Sequence, residues 1–210
     1  MIKLTKIACI IMIITAFTGC EPKVYFKNPQ PENAKNIKQI PKYLRGNYQC
    51  IIDSTRLSIN ENVICKIYPY SEIFHINELD STYVLSKDSL FSIKDKEKWA
   101  IRHLGDSIKL YGEYLDTLFY LNEDNLLRKF KGTYFLNTLY GTNKWEIKTL
   151  VLHKKRLIIG SIKADDEVKI LKEITKNEKD SNRSFELSKE QLKMFIRQNG
   201  FGDKVEYIKQ

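Results

Sequence analysis

Between residues 46 and 162 the chain is a series of short runs in which apolar and polar side chains alternate, each run stopping at a polar turn. The runs fall at 47–52, 56–59, 63–68, 81–85, 89–93, 99–104, 107–111, 117–121, 132–136, 145–152 and 156–162. Within 145–152, Trp145, Ile147 and Val151 share one face, the period of two expected of a half-buried strand. Most gaps between runs are shorter than the dozen residues that a parallel crossover needs, so the strands are predicted to be antiparallel. Asp53-Ser54, Asp80-Ser81, Asp88-Ser89, Asp106-Ser107 and Asp116-Thr117 each precede an apolar run. Such residues bond the backbone two positions on and open turns, so a meander entered repeatedly through Asp-Ser turns is expected.

Helical spacing appears only late in the chain. Asp165, Asp166 and Glu167 precede Val168, Leu171 and Ile174, placing acids where a helix dipole favours them. In 187–192 Ser188 and Gln191 form a capping box and Leu187 with Leu192 a hydrophobic staple. Gly200 is expected to end that helix, and 204–208 to form a last strand. The predicted fold is mainly β: an antiparallel β-meander, either an open sheet or a partly closed barrel, with two short C-terminal helices. Leu44-Arg45-Gly46-Asn47-Tyr48 is echoed by Phe130-Lys131-Gly132-Thr133-Tyr134, a spacing that suggests two similar halves, 41–126 and 127–210, within one globular domain of residues 41–210.

The N-terminus has a different character. Lys3 and Lys6 precede eleven uncharged residues, 7–17, and the run ends Phe17-Thr18-Gly19-Cys20. A basic start followed by an apolar core is the layout of a signal peptide, here 1–19, and the closing residues resemble a lipobox, with Phe17 in place of the usual leucine. That resemblance implies diacylglycerol attachment at Cys20 and anchorage in a bacterial envelope, most simply the outer membrane. Two or more acyl chains hold a protein stably where one does not. Four of the five prolines, Pro22, Pro29, Pro31 and Pro41, follow, so residues 20–40 are expected to be a tether reaching at most about 65 Å if extended. Val24-Tyr25-Phe26 is too apolar for a pure spacer and is expected to dock on the body.

Composition then narrows the partners. The formal charge of +9 falls to +7 without Lys3 and Lys6 and is carried mainly by lysine. Nucleic-acid readers favour arginine's planar fork, and an envelope address separates the chain from nucleic acid, so no such partner is expected. Loss of Cys9 and acylation of Cys20 leave Cys50 and Cys65. An oxidising envelope permits a disulfide, but both lie in apolar runs where a thiol packs as a small hydrophobe; two free thiols are the expectation.

Candidate chemistry is sparse. Gly105-Asp106-Ser107-Ile108 resembles the serine block of the GDSL hydrolases, which also require Asp-x-x-His; none of His75, His103 or His153 has Asp three residues before it. The histidines are scattered, the cysteines lack zinc-site spacing, and no glycine-rich phosphate loop is present. No catalytic, cofactor-binding or metal-ligating residue is therefore assigned, and Cys20 is the one site residue. Asp165-Asp166-Glu167 is read as helix-start acids ahead of a cation site.

Residues 26–31 and 40–48, together with 127–137 and Trp145-Glu146-Ile147, resemble uncharacterised lipoproteins of Bacteroidota. The resemblance implies the envelope address and no activity. The Gly-x-Tyr openings at Gly46 and Gly132 also resemble the Gly-x-Trp of lipocalin-like barrels. The expected function is a membrane-anchored, non-enzymatic binding or assembly module with an envelope protein or glycan partner; the alternative is a lipocalin-like small-molecule-binding barrel or an envelope hydrolase.

Overall fold

A computed structural model describes residues 24–163, 165–176 and 183–210; the expected signal peptide and Cys20 lie outside them. The protein is mainly β, with one large mixed sheet that is not closed and two helices near the C-terminus. In chain order the elements are β1 (Tyr25–Phe26), β2 (Gly46–Cys50), β3 (Arg56–Ile59), β4 (Val63–His75), β5 (Tyr83–Leu85), β6 (Ser89–Ser92) and β7 (Lys98–Leu104). They continue with β8 (Ser107–Tyr120), β9 (Asn125–Phe130), β10 (Thr133–Leu139), β11 (Trp145–His153), β12 (Arg156–Ser161), α1 (Asp165–Thr175), β13 (Ser184–Phe185), α2 (Lys189–Arg197) and β14 (Asp203–Lys209).

The sheet runs β13-β1-β11-β12-β14-β2-β3-β4-β8-β7-β6-β5, with β10 beside β11 and β9 beside β10. All pairs in the sheet are antiparallel except β1 with β13. The order departs from a plain meander in three places: β14 lies between β12 and β2, β8 follows β4 with β7, β6 and β5 beyond it, and β1 lies between β11 and β13. Inward side chains of nine strands meet in one core that includes Tyr48, Leu57, Ile64, Phe119, Leu127, Tyr134, Leu150, Leu157 and Tyr207, with Ile40 and Leu44 at its margin. The two ranges read as similar halves thus share a single core. Tyr48 and Tyr134 both point into it, but their glycines differ: Gly132 (φ +85°) follows Lys131 (φ +47°) in a two-residue hairpin turn, while Gly46 (φ +131°) leaves a 3-10 turn at Lys42–Leu44.

The opposite face of β10 and β11 carries a second core. Phe135 and Ile147 pack there with Val24, Phe26, Leu171, Phe185, Leu192 and Phe195. Burial on both faces explains why Tyr134, Phe135, Leu136 and Asn137 are all buried in succession. The capping box of α2 is present: Ser188 Oγ accepts from Gln191 N and Gln191 Oε1 accepts from Ser188 N, while Leu187 and Leu192 are both fully buried. At the other end Asn199 (φ +61°), and not Gly200, takes the left-handed turn. Gly200 serves a different purpose, because a Cβ there would stand 2.4 Å from the Phe195 ring. Replacing the cap by Ser188→Ala is expected to lower stability by about 1 kcal/mol, read from the urea midpoint; an unchanged midpoint would mean that α2 is held by its apolar face alone.

β4 and β8 continue well past the main core. The runs read as separate strands at 107–111 and 117–121 are one strand because β4 pairs with β8 along its whole length, interrupted by one irregularity at Ile64/Cys65. Asp116-Thr117 is therefore mid-strand, with Asp116 opposite Lys66. Asp53 and Asp80 do open turns: each accepts from the backbone N–H two residues on, at 2.8 Å, and these bonds with the Thr55 and Thr82 hydroxyls hold both carboxyls below the usual range. Beyond the reach of β3 the two long strands are joined by β5 to β7 around a third small core of Leu90, Ile101, Ile108 and Leu110. Cys50 and Cys65 are free. They lie on β2 and β4 with β3 between them, Cys50 level with Thr55 and Cys65 opposite Ser58, so two strand spacings and a three-residue offset separate them by well over about 9.6 Å, too far for a disulfide.

Candidate functional site

Two places combine geometry with chemistry. The first is the seat of the proline-rich segment. Far from standing off the body, residues 24–40 are bound to it at several points. Asn137, buried in β10, accepts from Gln30 N at 2.6 Å and donates to Gln30 O at 2.8 Å. Arg128 on β9 donates to Pro29 O, Pro31 O and Asn36 Oδ1 at 2.5, 2.9 and 2.8 Å, and burial pulls its pKa below the ordinary guanidinium value. Ile37 N donates to Leu127 O at 2.8 Å. Gln30 is fully buried, with Nε2 donating to Asn28 O and Leu187 O, while its Oε1 has no hydrogen-bond partner among the described residues.

Where this segment meets the body, Tyr25 N donates to Arg183 O at 2.9 Å. The Tyr25 ring meets Tyr140 edge-on at 6.4 Å, and Lys144 Nζ stands 5.4 Å from its centre. Tyr140 is 54% exposed; partial burial, with Glu146 beside it, raises its phenol pKa. Tyr140 and Tyr120, the last residue of β8, line one recess of about 320 Å³, so this end of the body is also the end of β8.

The second place is at the opposite end of β8. A cleft of about 260 Å³ opens between β4 and the β5–β7 strands, walled by Tyr70, Phe74, Tyr83 and Trp99 with Glu72 and Glu78 at its edge. Register places Phe74, Glu72 and Tyr70 on one face of β4, opposite Ile108, Leu110 and Gly112. Gly112 admits the Tyr70 ring across the neighbouring strand, since a Cβ there would lie 2.3 Å from it. Residues 66–116 carry seven basic and nine acidic side chains, whereas 20–65 and 117–210 together carry twenty-six and seventeen. The protruding part is mildly acidic on a strongly basic body.

The other residues weighed for chemistry are dispersed. His75 lies opposite Ser107 in the β4–β8 register, but no hydrogen bond joins their side chains. His103 Nε2 is 3.5 Å from Ser86 O. Glu167 is a backbone clamp: it accepts from Lys163 N at 2.8 Å and from Gly202 N at 2.5 Å, and is 5% exposed. Asp165 pairs with Arg183 at 3.4 Å and Asp166 with Lys169 at 2.9 Å. Among the described residues, no group of three or more His, Cys, Asp or Glu is placed to hold a metal ion, and no helix is long and apolar enough to cross a membrane. The aromatic cleft was missed by sequence reading because its four rings come from β4, β5, β7 and their flanks, each indistinguishable from a strand-core aromatic until the register is known. The chain matches no family model, no curated protein and no solved structure.

Proposed function

We propose that the protein is a lipid-anchored binding module of the bacterial envelope, acylated at Cys20 and non-enzymatic, whose partner is an envelope protein or glycan. The observation that supports it is the aromatic cleft, built on two strands that carry it beyond the main core. Aromatic faces with a few polar groups at the edge are the makings of a recognition pocket. The same rings stack on the apolar face of a sugar or on a cationic side chain, with Glu72 and Glu78 accepting hydrogen bonds. The small-molecule-barrel reading draws on the nine strands around one core, but that interior is filled by Tyr48, Leu57, Phe119 and Leu150, which a ligand would have to displace.

The test has two parts. Cys20→Ala is expected to abolish palmitate incorporation and processing; normal labelling would end the anchoring reading. A photo-crosslinking amino acid in place of Tyr83 is then expected to capture one reproducible partner in intact cells. Tyr70→Ala with Trp99→Ala should reduce capture at least tenfold while near-ultraviolet circular dichroism shows the fold intact. Capture of abundant neighbours alone, or capture insensitive to the two substitutions, would refute the cleft as the binding site.

A further inference from the structure

We infer that the end of the body at which the proline-rich segment arrives, formed by Tyr140, Lys144, Trp145 and Arg183 around the buried Tyr25, is the face that lies on the phospholipid headgroups. The inference rests on the acylation of Cys20 proposed above and adds an orientation to it. Four peptide steps lead from Cys20 to Val24, a span of about 14 Å at most. Val24, Tyr25 and Phe26 are 3%, 7% and 0% exposed, and the segment that follows is held by Asn137 and Arg128. The described body therefore begins within about 14 Å of Cys20, and the residues around Tyr25 are the ones brought to the bilayer.

Those residues have the chemistry for the task. Tyrosine and tryptophan settle at the level of the headgroups, where an apolar ring and a polar tip are both satisfied, and amines and guanidinium groups there are drawn to anionic lipid. Tyr140 and Lys144 are exposed on the β10–β11 turn, and Trp145 begins β11 beside Phe26. Of the acids nearby, Glu146 pairs with Lys148 at 3.0 Å and Asp165 with Arg183 at 3.4 Å, while Glu123 and Asp124 of the β8–β9 turn also lie at this end, Asp124 O accepting from Leu139 N at 3.0 Å. The charge distribution points the same way. An anionic surface attracts the body, with its excess of basic groups, and repels the acidic 66–116 extension. From Tyr120 beside this face, β8 leads ten residues to Leu110 in the cleft, about 33 Å along the strand. The cleft thus lies at the other end of β8 from this face.

The experiment uses the full-length acylated protein in vesicles of phosphatidylethanolamine and phosphatidylglycerol. A fluorescent amino acid replaces either Asn143, in the β10–β11 turn, or Asp106, in the β7–β8 turn, and lipids carrying a nitroxide near the headgroup serve as quencher. Quenching at 143 is expected to exceed that at 106 at least threefold, and Lys144→Glu should narrow the difference. Equal quenching, or stronger quenching at 106, in protein whose mass shows acylated Cys20 would overturn the orientation and leave the anchor standing. Absence of the acyl mass would overturn the anchor, and the orientation with it.

Discussion

Raising the pH from about 10 to about 12 is expected to unfold the protein in one cooperative step. Tyr48 and Tyr207 lie in the main core at 0% and 2% exposure, and burial pushes each phenol up to about 12. An unfolded tyrosine ionises near 10, so the folded state favours the neutral phenol. The stability this contributes is complete below pH 10 and disappears as the pH climbs toward 12. At about 1.4 kcal/mol per unit the two groups together are worth on the order of 5 kcal/mol, comparable with the whole stability of an ordinary domain. Tyr48 also donates its hydroxyl proton to Leu44 O at 2.6 Å, a bond that the phenolate cannot make. Recording strand circular dichroism alongside phenolate absorbance checks this. Ionisation of the last tyrosines should coincide with loss of the strand signal; complete ionisation near pH 10 with the signal intact would show that neither phenol is held in the core.

Asn137→Leu is expected to be the most damaging single change to the seat of the N-terminal segment. The replacement has a similar volume but strands Gln30 N and Gln30 O in a buried site, and each unsatisfied group costs about 1–3 kcal/mol. Stability should fall by about 2–5 kcal/mol, and a protease should cleave within residues 24–40 before the sheet unfolds. Arg128 and the Ile37–Leu127 bridge hold the segment at other points, so the sheet itself should persist. A variant with the parent's urea midpoint and a protected segment would mean that apolar contacts of Val24 and Phe26 alone hold it in place.

What sequence reading reached and what it missed divides along physical lines. Local rules worked where the determinant is local: the alternation in β11, the capping box at Ser188 and the acids opening α1 are each contained within a few residues. The β9 strand escaped because Asn125-Leu126-Leu127-Arg128-Lys129-Phe130 has adjacent leucines and adjacent bases in place of alternation; Leu127 enters the core while Arg128 turns to the carbonyls of the proline-rich segment. The Gln30–Asn137 pair joins residues 107 positions apart, and no property of either residue announces its partner. The length of β8 was hidden by Asp116-Thr117, which is a turn signal elsewhere in this chain and here is overruled by pairing with Lys66. The cleft shares that invisibility, and the seat of the segment was legible only as the unusual apolarity of Val24-Tyr25-Phe26.

The position of β14 bears on how the chain reaches its destination. Tyr207 pairs with Cys50 on one side and Leu157 on the other, so the last of the sheet's strands in chain order is the one that joins its early part to its late part. Until residue 209 is free, β2 and β12 each face an empty lane, and contacts separated by more than 150 residues cannot form. Such distant pairings are slow because their loop entropy is lost before they return any stabilisation. A chain whose residues 203–209 are not yet in place is therefore unlocked, its early and late strands free to move apart. The two parts of the sheet become one only when that strand slides between them.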